Sequence, residues 1–366
     1  MDPVRIGIIG TGGIGGAHLS AIDAVEGCEL VACCDIVEEV ARTAAEARGL
    51  PWFRDYPDLL ALDEVEAVAV CTPHYLHCPM AVAAAEAGKH VICEKPMAMT
   101  VRECDDMLRA AQAAGVALAI IHQTSATPTA RLAKQLLEGG ELGDLWQASH
   151  LSPGLRTNAY YRTGAWRGTW HQEGGGVLIN QKVHDLHLMN FLLGAPEEVY
   201  ASIRNVAHDI EVEDIATAQF RFESGVELSF QVSNACPAPE GYTQILGDKG
   251  TLILGGEVRM GRPSQSAREF IAGAPEAWSQ PEVTWETLPA PALPVTGHAA
   301  MYAGFVPAVR EGVPPAVSGE AGRTAVEMLN AIILSSHTHR PASFPLNRAE
   351  YDDLLRELSG GKWPAS

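Results

Sequence analysis

Up to about residue 122 the chain alternates short, unbroken apolar runs with alanine-rich stretches of helical spacing. Residues 4–9 (VRIGII), 30–34 (LVACC), 67–71 (AVAVC), 90–93 (HVIC) and 116–121 (VALAII) are too short for helices and lack polar alternation. That is the mark of strands buried on both faces. Residues 17–22, 38–48, 79–87 and 101–114 between them read as helices, and the βαβα rhythm predicts a parallel, doubly wound sheet. Past Gln123 the texture changes. One helix is predicted over 129–137, followed by Gly- and Trp-rich sequence, then strict period-two alternation in 216–222 (ATAQFRF) and 226–232 (VELSFQV) around Glu223-Ser224-Gly225. Such a pair reads as a hairpin with one buried face. Residues 272–294, rich in Pro and Ala, read as a long surface excursion and 321–338 as a closing helix. The pattern therefore predicts α/β architecture in two domains, a doubly wound domain over 1–123 and an α+β domain with a large, mostly antiparallel open sheet over 124–366.

Composition narrows the partners. The 366 residues carry 26 Lys+Arg against 45 Asp+Glu, a formal charge of −19, with no basic cluster to neutralise phosphates, which argues against nucleic acid. No apolar stretch approaches the ~20 residues that span a bilayer, and the start lacks the regions of a signal peptide. No membrane association and a cytoplasmic location are expected. The eight cysteines, at 28, 33, 34, 71, 78, 93, 104 and 236, form no C-x-x-C pair and suggest neither a zinc site nor a disulfide framework. The second-domain strands have alternating apolar positions but few helices to cover an outer face, so a homodimer or homotetramer built sheet to sheet is expected.

Chemistry begins at the first strand's end. Gly10-Thr11-Gly12-Gly13-Ile14-Gly15 has the form G-x-G-x-x-G between a strand and a helix, with Asp35 ending the second apolar run. Gly10 suits a tight turn, Gly12 close approach of a pyrophosphate and Gly15 packing of helix on strand, while a carboxylate some ~20 residues on holds ribose hydroxyls. Glycines alone are weak evidence. Strand, glycines, helix and acid together mark a dinucleotide site, and Asp35 without a following arginine favours NAD over NADP.

Further along stand Thr72-Pro73-His74-Tyr75-Leu76-His77, Cys93-Glu94-Lys95-Pro96, Trp166-Arg167, Gly174-Gly175-Gly176-Val177-Leu178-Ile179-Asn180-Gln181 with His184, and Gly247-Asp248-Lys249-Gly250. In this order and spacing the chain resembles the Gfo/Idh/MocA oxidoreductases, named for glucose-fructose oxidoreductase and inositol dehydrogenase, over nearly its whole length. The resemblance implies a Rossmann domain followed by a domain whose open sheet walls the substrate site. It also implies NAD- or NADP-dependent hydride transfer at a secondary hydroxyl of a sugar, glycoside or cyclitol.

Carried onto this sequence, the cofactor-binding residues are Gly10, Gly12, Gly13, Ile14, Gly15, Asp35, Thr72, Pro73, His74, His77, Glu94, Lys95, Gln123, Trp166 and Arg167. Lys95 and His184 are the catalytic candidates, with the Lys95-Pro96 bond expected to be cis. Asn180, Asp185, His187 and His171 are the substrate-binding candidates. A lone lysine before proline is ordinarily a solvated loop residue, whereas one desolvated beside a nicotinamide can have its pKa lowered into the range useful for proton transfer. His184 suits an acceptor because an unperturbed imidazole titrates near ~6.5.

Three departures stand out. Asn180 replaces the family's usual aspartate and cannot take a proton as a carboxylate would, His187 stands where a second aspartate is common, and Lys182 replaces a small residue. His184, Asp185 and His187 raise the question of a metal, but no H-E-x-x-H pattern is present and none is expected. His122 and His150 are also able to line a cleft, although a single histidine is ordinarily just packed or exposed. Two other readings stay open: a redox-neutral enzyme that recycles NAD through oxidation followed by elimination or epimerisation, and a non-catalytic NAD-binding regulator, because a fold does not establish a function.

Overall fold

The computed structural model describes residues 2–363. The first sheet is parallel throughout, with β1 Val4–Ile9, β2 Cys28–Cys34, β3 Trp52–Phe53, β4 Ala67–Val70, β5 His90–Cys93 and β6 Leu118–Ile120 in the order β3-β2-β1-β4-β5-β6. Its strands are almost wholly buried because helices cover both faces, as the unbroken apolar runs require. The order reverses between β1 and β4, and ligands bind such sheets in the crevice outside the carboxyl strand ends there. No helix among the described residues is long and apolar enough to cross a membrane.

The second sheet comprises β7 Leu145–Pro153, β8 Pro196–Arg204, β9 Ile215–Phe222, β10 Glu227–Ser233, β11 Tyr242–Gly247, β12 Gly250–Leu254, β13 Val258–Pro263, β14 Val283–Leu288 and β15 Ala342–Ser343. Their order is β14-β13-β12-β11-β7-β10-β9-β8-β15, and every pairing is antiparallel except β7 with β10. The hairpin lies where its alternation placed it. Leu228 pairs with Phe220 and Phe230 with Ala218 on the buried face, while Ser229 meets Gln219 on the other.

Two expectations need correction. The stretch 272–294 is not all loop, since Val283–Leu288 forms an edge strand on β13, exposed at nearly every position. Its flanking prolines and lack of a buried face hide it from a pattern search. The uncovered sheet face is also less apolar than the alternation implied. It presents Gln147, Ser149, Thr217, Gln219 and Gln231 together with the exposed rings of Tyr200 and Tyr242.

One helix, Gly319–Thr338, is buried on every side from Ala325 to Ser335 and runs through the protein between the sheets. It packs on β8 and the helix Val183–Leu193 of the second domain and on β6 and the helix Val101–Ala114 of the first. Each fully buried Leu or Ile here, such as Leu329, Ile332 and Ile333, contributes ~1.5–3 kcal/mol. Asn330 adds a polar lock, its Oδ1 accepting from Val101 N at 3.1 Å and its Nδ2 donating to Met99 O at 3.1 Å. All eight cysteines are free thiols, five of them buried.

The helix Gly297–Glu311 also returns to the first domain. There Arg310 grips Glu66 through Nη1 to Oε1 at 3.0 Å and Nη2 to Oε2 at 2.8 Å. Hydrogen bonds from Arg310 and Arg5 hold the Glu66 carboxyl down at about 2, against an ordinary 4.5. A carboxyl depressed by folding contributes stability that is present above its unfolded value and lost as pH falls through the folded one. Glu66→Gln should therefore lower stability at pH 6 by about 1 kcal/mol after solvent screening, and the gap to wild type should close between pH 4.5 and 2. Thermal melts of both proteins across that range check it; a gap that persists at pH 2 contradicts it.

Candidate active site

The glycine turn after β1 lies against the start of the next crossover. Gly10 has φ +92°, and a Cβ there would stand 2.6 Å from Cys71 O, so only glycine fits. Asp35, at the end of β2, accepts from Thr11 N at 2.9 Å and Gly12 N at 3.3 Å through Oδ2, and from Val37 N at 3.0 Å through Oδ1. Around the same crevice Thr11 Oγ1, Thr72 Oγ1 and Gln123 Oε1 are buried without a partner. They sit just past the carboxyl ends of β1, β4 and β6. An unpartnered buried polar group costs ~1–3 kcal/mol, and three around one crevice fit a polar, extended ligand such as a dinucleotide.

His77 is not free for that ligand. It is fully buried, with Nδ1 2.7 Å from Pro96 O and Nε2 2.8 Å from Thr72 O, and so braces two strand-end loops instead of offering a ring nitrogen to the cofactor. His74 Nδ1 donates to Glu173 O at 2.9 Å, and its ring meets Trp166 at 4.8 Å. Arg167 stacks over Trp166 and bonds Tyr160 OH at 2.6 Å. The Trp-Arg pair thus reaches the nucleotide-binding edge from the second domain.

Past β5 the Lys95-Pro96 peptide is cis. Glu94 is buried and spoken for. Its Oε1 accepts from His18 Nε2 at 2.8 Å and His298 Nε2 at 3.1 Å, its Oε2 accepts from Lys95 N at 3.0 Å, and Tyr302 OH meets His18 Nδ1 at 2.7 Å. Burial alone would raise this carboxyl, but the two imidazole hydrogen bonds outweigh burial and hold it well below the usual range. The ligand atoms of His18, Glu94 and His298 lie within 4.8 Å of one another, and hydrogen bonds account for all three. Neither His18 nor His298 carries a sequence signal; one sits mid-helix and the other 204 residues from Glu94.

Opposite Lys95 stands the one-turn helix Val177–Asn180. Buried Glu213 accepts from Gly176 N at 2.9 Å and Leu178 N at 3.0 Å. Gly176 has no room for a side chain, since a Cβ would meet Glu213 O at 1.9 Å. This capping aims Asn180 O at Lys95 Nζ, 2.7 Å away. The Asn180 amide nitrogen donates to Oε1 of Glu173, whose other oxygen accepts from Gly168 N. Burial raises Glu173 to about 7 against those donors, and Glu213 likewise to about 7. Sequence reading missed both acids, because a carboxylate's burial is invisible in a linear pattern.

His184 lies in the same cleft, its Nδ1 3.3 Å from His122 Nδ1. Burial, then the charge of Lys95, pushes His184 down to about 3, so the unperturbed titration expected for it does not hold. Burial lowers Lys95 as well. The other candidates diverge. His187 stacks behind His122 at 4.4 Å and bonds Ser125 Oγ at 3.1 Å, while Asp185 faces His150 at 3.4 Å and Lys182 at 3.7 Å. His184, Asp185 and His187 thus share no common point. Lys182 Nζ donates to Ser152 Oγ at 2.7 Å, joining Asp185 and His150 in a polar wall on the sheet's inner face. His171 is half-buried and hydrogen-bonds none of them.

The chain is similar to known proteins in both domains. Residues 4–122 match the oxidoreductase family with an NAD-binding Rossmann fold, and residues 130–253 match the GFO/IDH/MocA C-terminal domain. The chain is 32% identical over 259 residues to 2,7-anhydro-N-acetylneuraminate hydratase of Mediterraneibacter gnavus, covering 69% of this chain and 68% of that one. It is 26% identical to D-apiose dehydrogenase of Paraburkholderia graminis, covering 96% and 93%. Among solved structures, the WlbA dehydrogenase of Bordetella pertussis in complex with NADH and UDP-GlcNAcA superposes with a TM-score of 0.81 at 30% identity, covering 94% of this chain and 100% of that one. Two family models, one matching in each domain, and a relative 32% identical over two thirds of each chain place the protein in the Gfo/Idh/MocA family of NAD-binding oxidoreductases.

Proposed function

We propose that the protein is an NAD-dependent oxidoreductase that transfers hydride between nicotinamide and a secondary hydroxyl of a sugar, glycoside or cyclitol. The observation that carries this is the meeting of Lys95 Nζ with Asn180 O at 2.7 Å, which sets a desolvated amine from the nucleotide-binding domain against the second domain's signature helix. Bound in the crevice, NAD supplies the hydride acceptor. The turn at Gly10 to Gly15, Asp35, Thr72, Gln123 and the Trp166-Arg167 pair would hold it. Lys95 contacts the reacting oxygen, and Asn180 and the Lys182–Asp185–His150 wall orient the remaining hydroxyls. A homodimer through the uncovered sheet face completes the reading, supported by the exposed Tyr200 and Tyr242.

A second reading is favoured by one finding: the M. gnavus relative is named a hydratase. In that case NAD stays bound and is recycled, and the product differs from the substrate without net reduction of cofactor.

Lys95→Met should keep NAD affinity by calorimetry yet lose ~100-fold or more in single-turnover oxidation, the range for removing a group that handles the proton. A polyol screen read as reduced cofactor and as product mass separates the two enzymatic readings, and stoichiometric NAD binding with no turnover by either readout would favour the regulator instead. Asp35 should accept both ribose hydroxyls and repel a 2′-phosphate. Steady-state kinetics should therefore favour NAD over NADP, and Asp35→Ser should narrow that preference; equal efficiency with both cofactors in the wild type would refute it.

A further inference from the structure

The contact between His122 and His184 decides which group in the cleft can take a proton. Their Nδ1 atoms are 3.3 Å apart with the rings perpendicular. A hydrogen bond between two neutral imidazoles needs one hydrogen, so each tautomer dictates the other. His122 is fully buried beneath His187, and its Nε2 has no partner. If His184 supplied the shared hydrogen, His122 would carry its own on Nε2, a buried N–H with no acceptor. If His122 supplies it, only a lone pair is left unpaired. Orphaned buried donors are the rarer of the two. The second arrangement places the His184 hydrogen on Nε2.

We propose that His122 locks His184 in its Nε2–H tautomer, making His184 a fixed hydrogen-bond donor in the cleft and leaving Lys95, not His184, as the proton acceptor. His122 is a positioning residue. The tautomer stands on geometry alone, whereas the assignment of Lys95 rests on the hydride-transfer reading above. In the oxidising direction the hydroxyl proton passes to the Nζ lone pair, the carbinol hydride leaves with its electron pair to the nicotinamide, and the O–H electron pair becomes the second bond of the carbonyl. His184 gains and loses nothing. Its Nε2–H stabilises negative charge developing on the oxygen. No carboxylate hydrogen-bonds His184 among the described residues, and burial by itself disfavours its imidazolium.

The test reads tautomers directly. In ¹⁵N-histidine NMR of the apo protein, His184 should carry its hydrogen on Nε2. His122→Asn, whose amide N–H falls near the Nδ1 position, should preserve that state, and His122→Leu should release it. A hydrogen on Nδ1 of His184 in the wild type overturns the proposal, and so does an unchanged tautomer in H122L. Should H122L not fold, His122→Gln, which moves the amide off the Nδ1 position, replaces it on the same criterion. For the Lys95 half, His184→Gln keeps an N–H near Nε2 but cannot serve as base. Its kcat/KM should fall by less than the ~100-fold at which loss of a general base begins, and a loss matching that of K95M overturns this half. Absence of any polyol turnover in the wild type would refute the hydride-transfer reading and with it the Lys95 half, while NMR still decides the tautomer.

Discussion

Burial of the helix Gly319–Thr338 between the two sheets is the constraint on which the rest depends. A helix buried on every side from Ala325 to Ser335 has no solvent-facing orientation there, so it must be covered by both domains at once. Its contacts with β6 on one side and β8 on the other fix how the second domain sits on the first. The cleft inherits that placement. Lys95 and His122 come from strand ends of the first sheet, Asn180 and His184 from helices of the second domain, and neither pair would meet without the shared core.

Within the cleft, removal of water sets the chemistry more than the residue types do. Taken singly, Lys95, His184 and Glu173 would be charged, mostly neutral and charged at neutral pH. Burial lowers the first two and raises the third, so each moves towards its neutral form. Glu94 is the exception, because two imidazole donors and a backbone amide replace the water it loses. An anion held there beside Lys95 works against the lysine's loss of charge, while the arginines at 156 and 167 work for it. In a protein of net charge −19, the local balance at the cleft is set by these few groups and not by the surface.

The linear pattern carried much of the fold. Unbroken apolar runs marked the buried parallel strands, and strict alternation marked the hairpin of β9 and β10, because burial on two faces or on one leaves a periodic trace. The edge strand Val283–Leu288 left no such trace, being exposed on both faces. The open sheet face was overestimated as apolar for a related reason: alternation reports that one face is buried, not what the other carries.

The sequence by itself determined the nucleotide turn, the acid at Asp35 and the lysine after β5, since these are local motifs tied to strand ends, and the family resemblance singled out Asn180 and His184, which the structure sets on two successive helices. Only the tertiary structure decided how those groups are tuned. Glu173 and Glu213 behind Asn180, His18 and His298 on Glu94, and His122 against His184 are joined by packing across tens to hundreds of residues, and a buried group's protonation follows from its neighbours and its loss of water, neither of which is written along the chain.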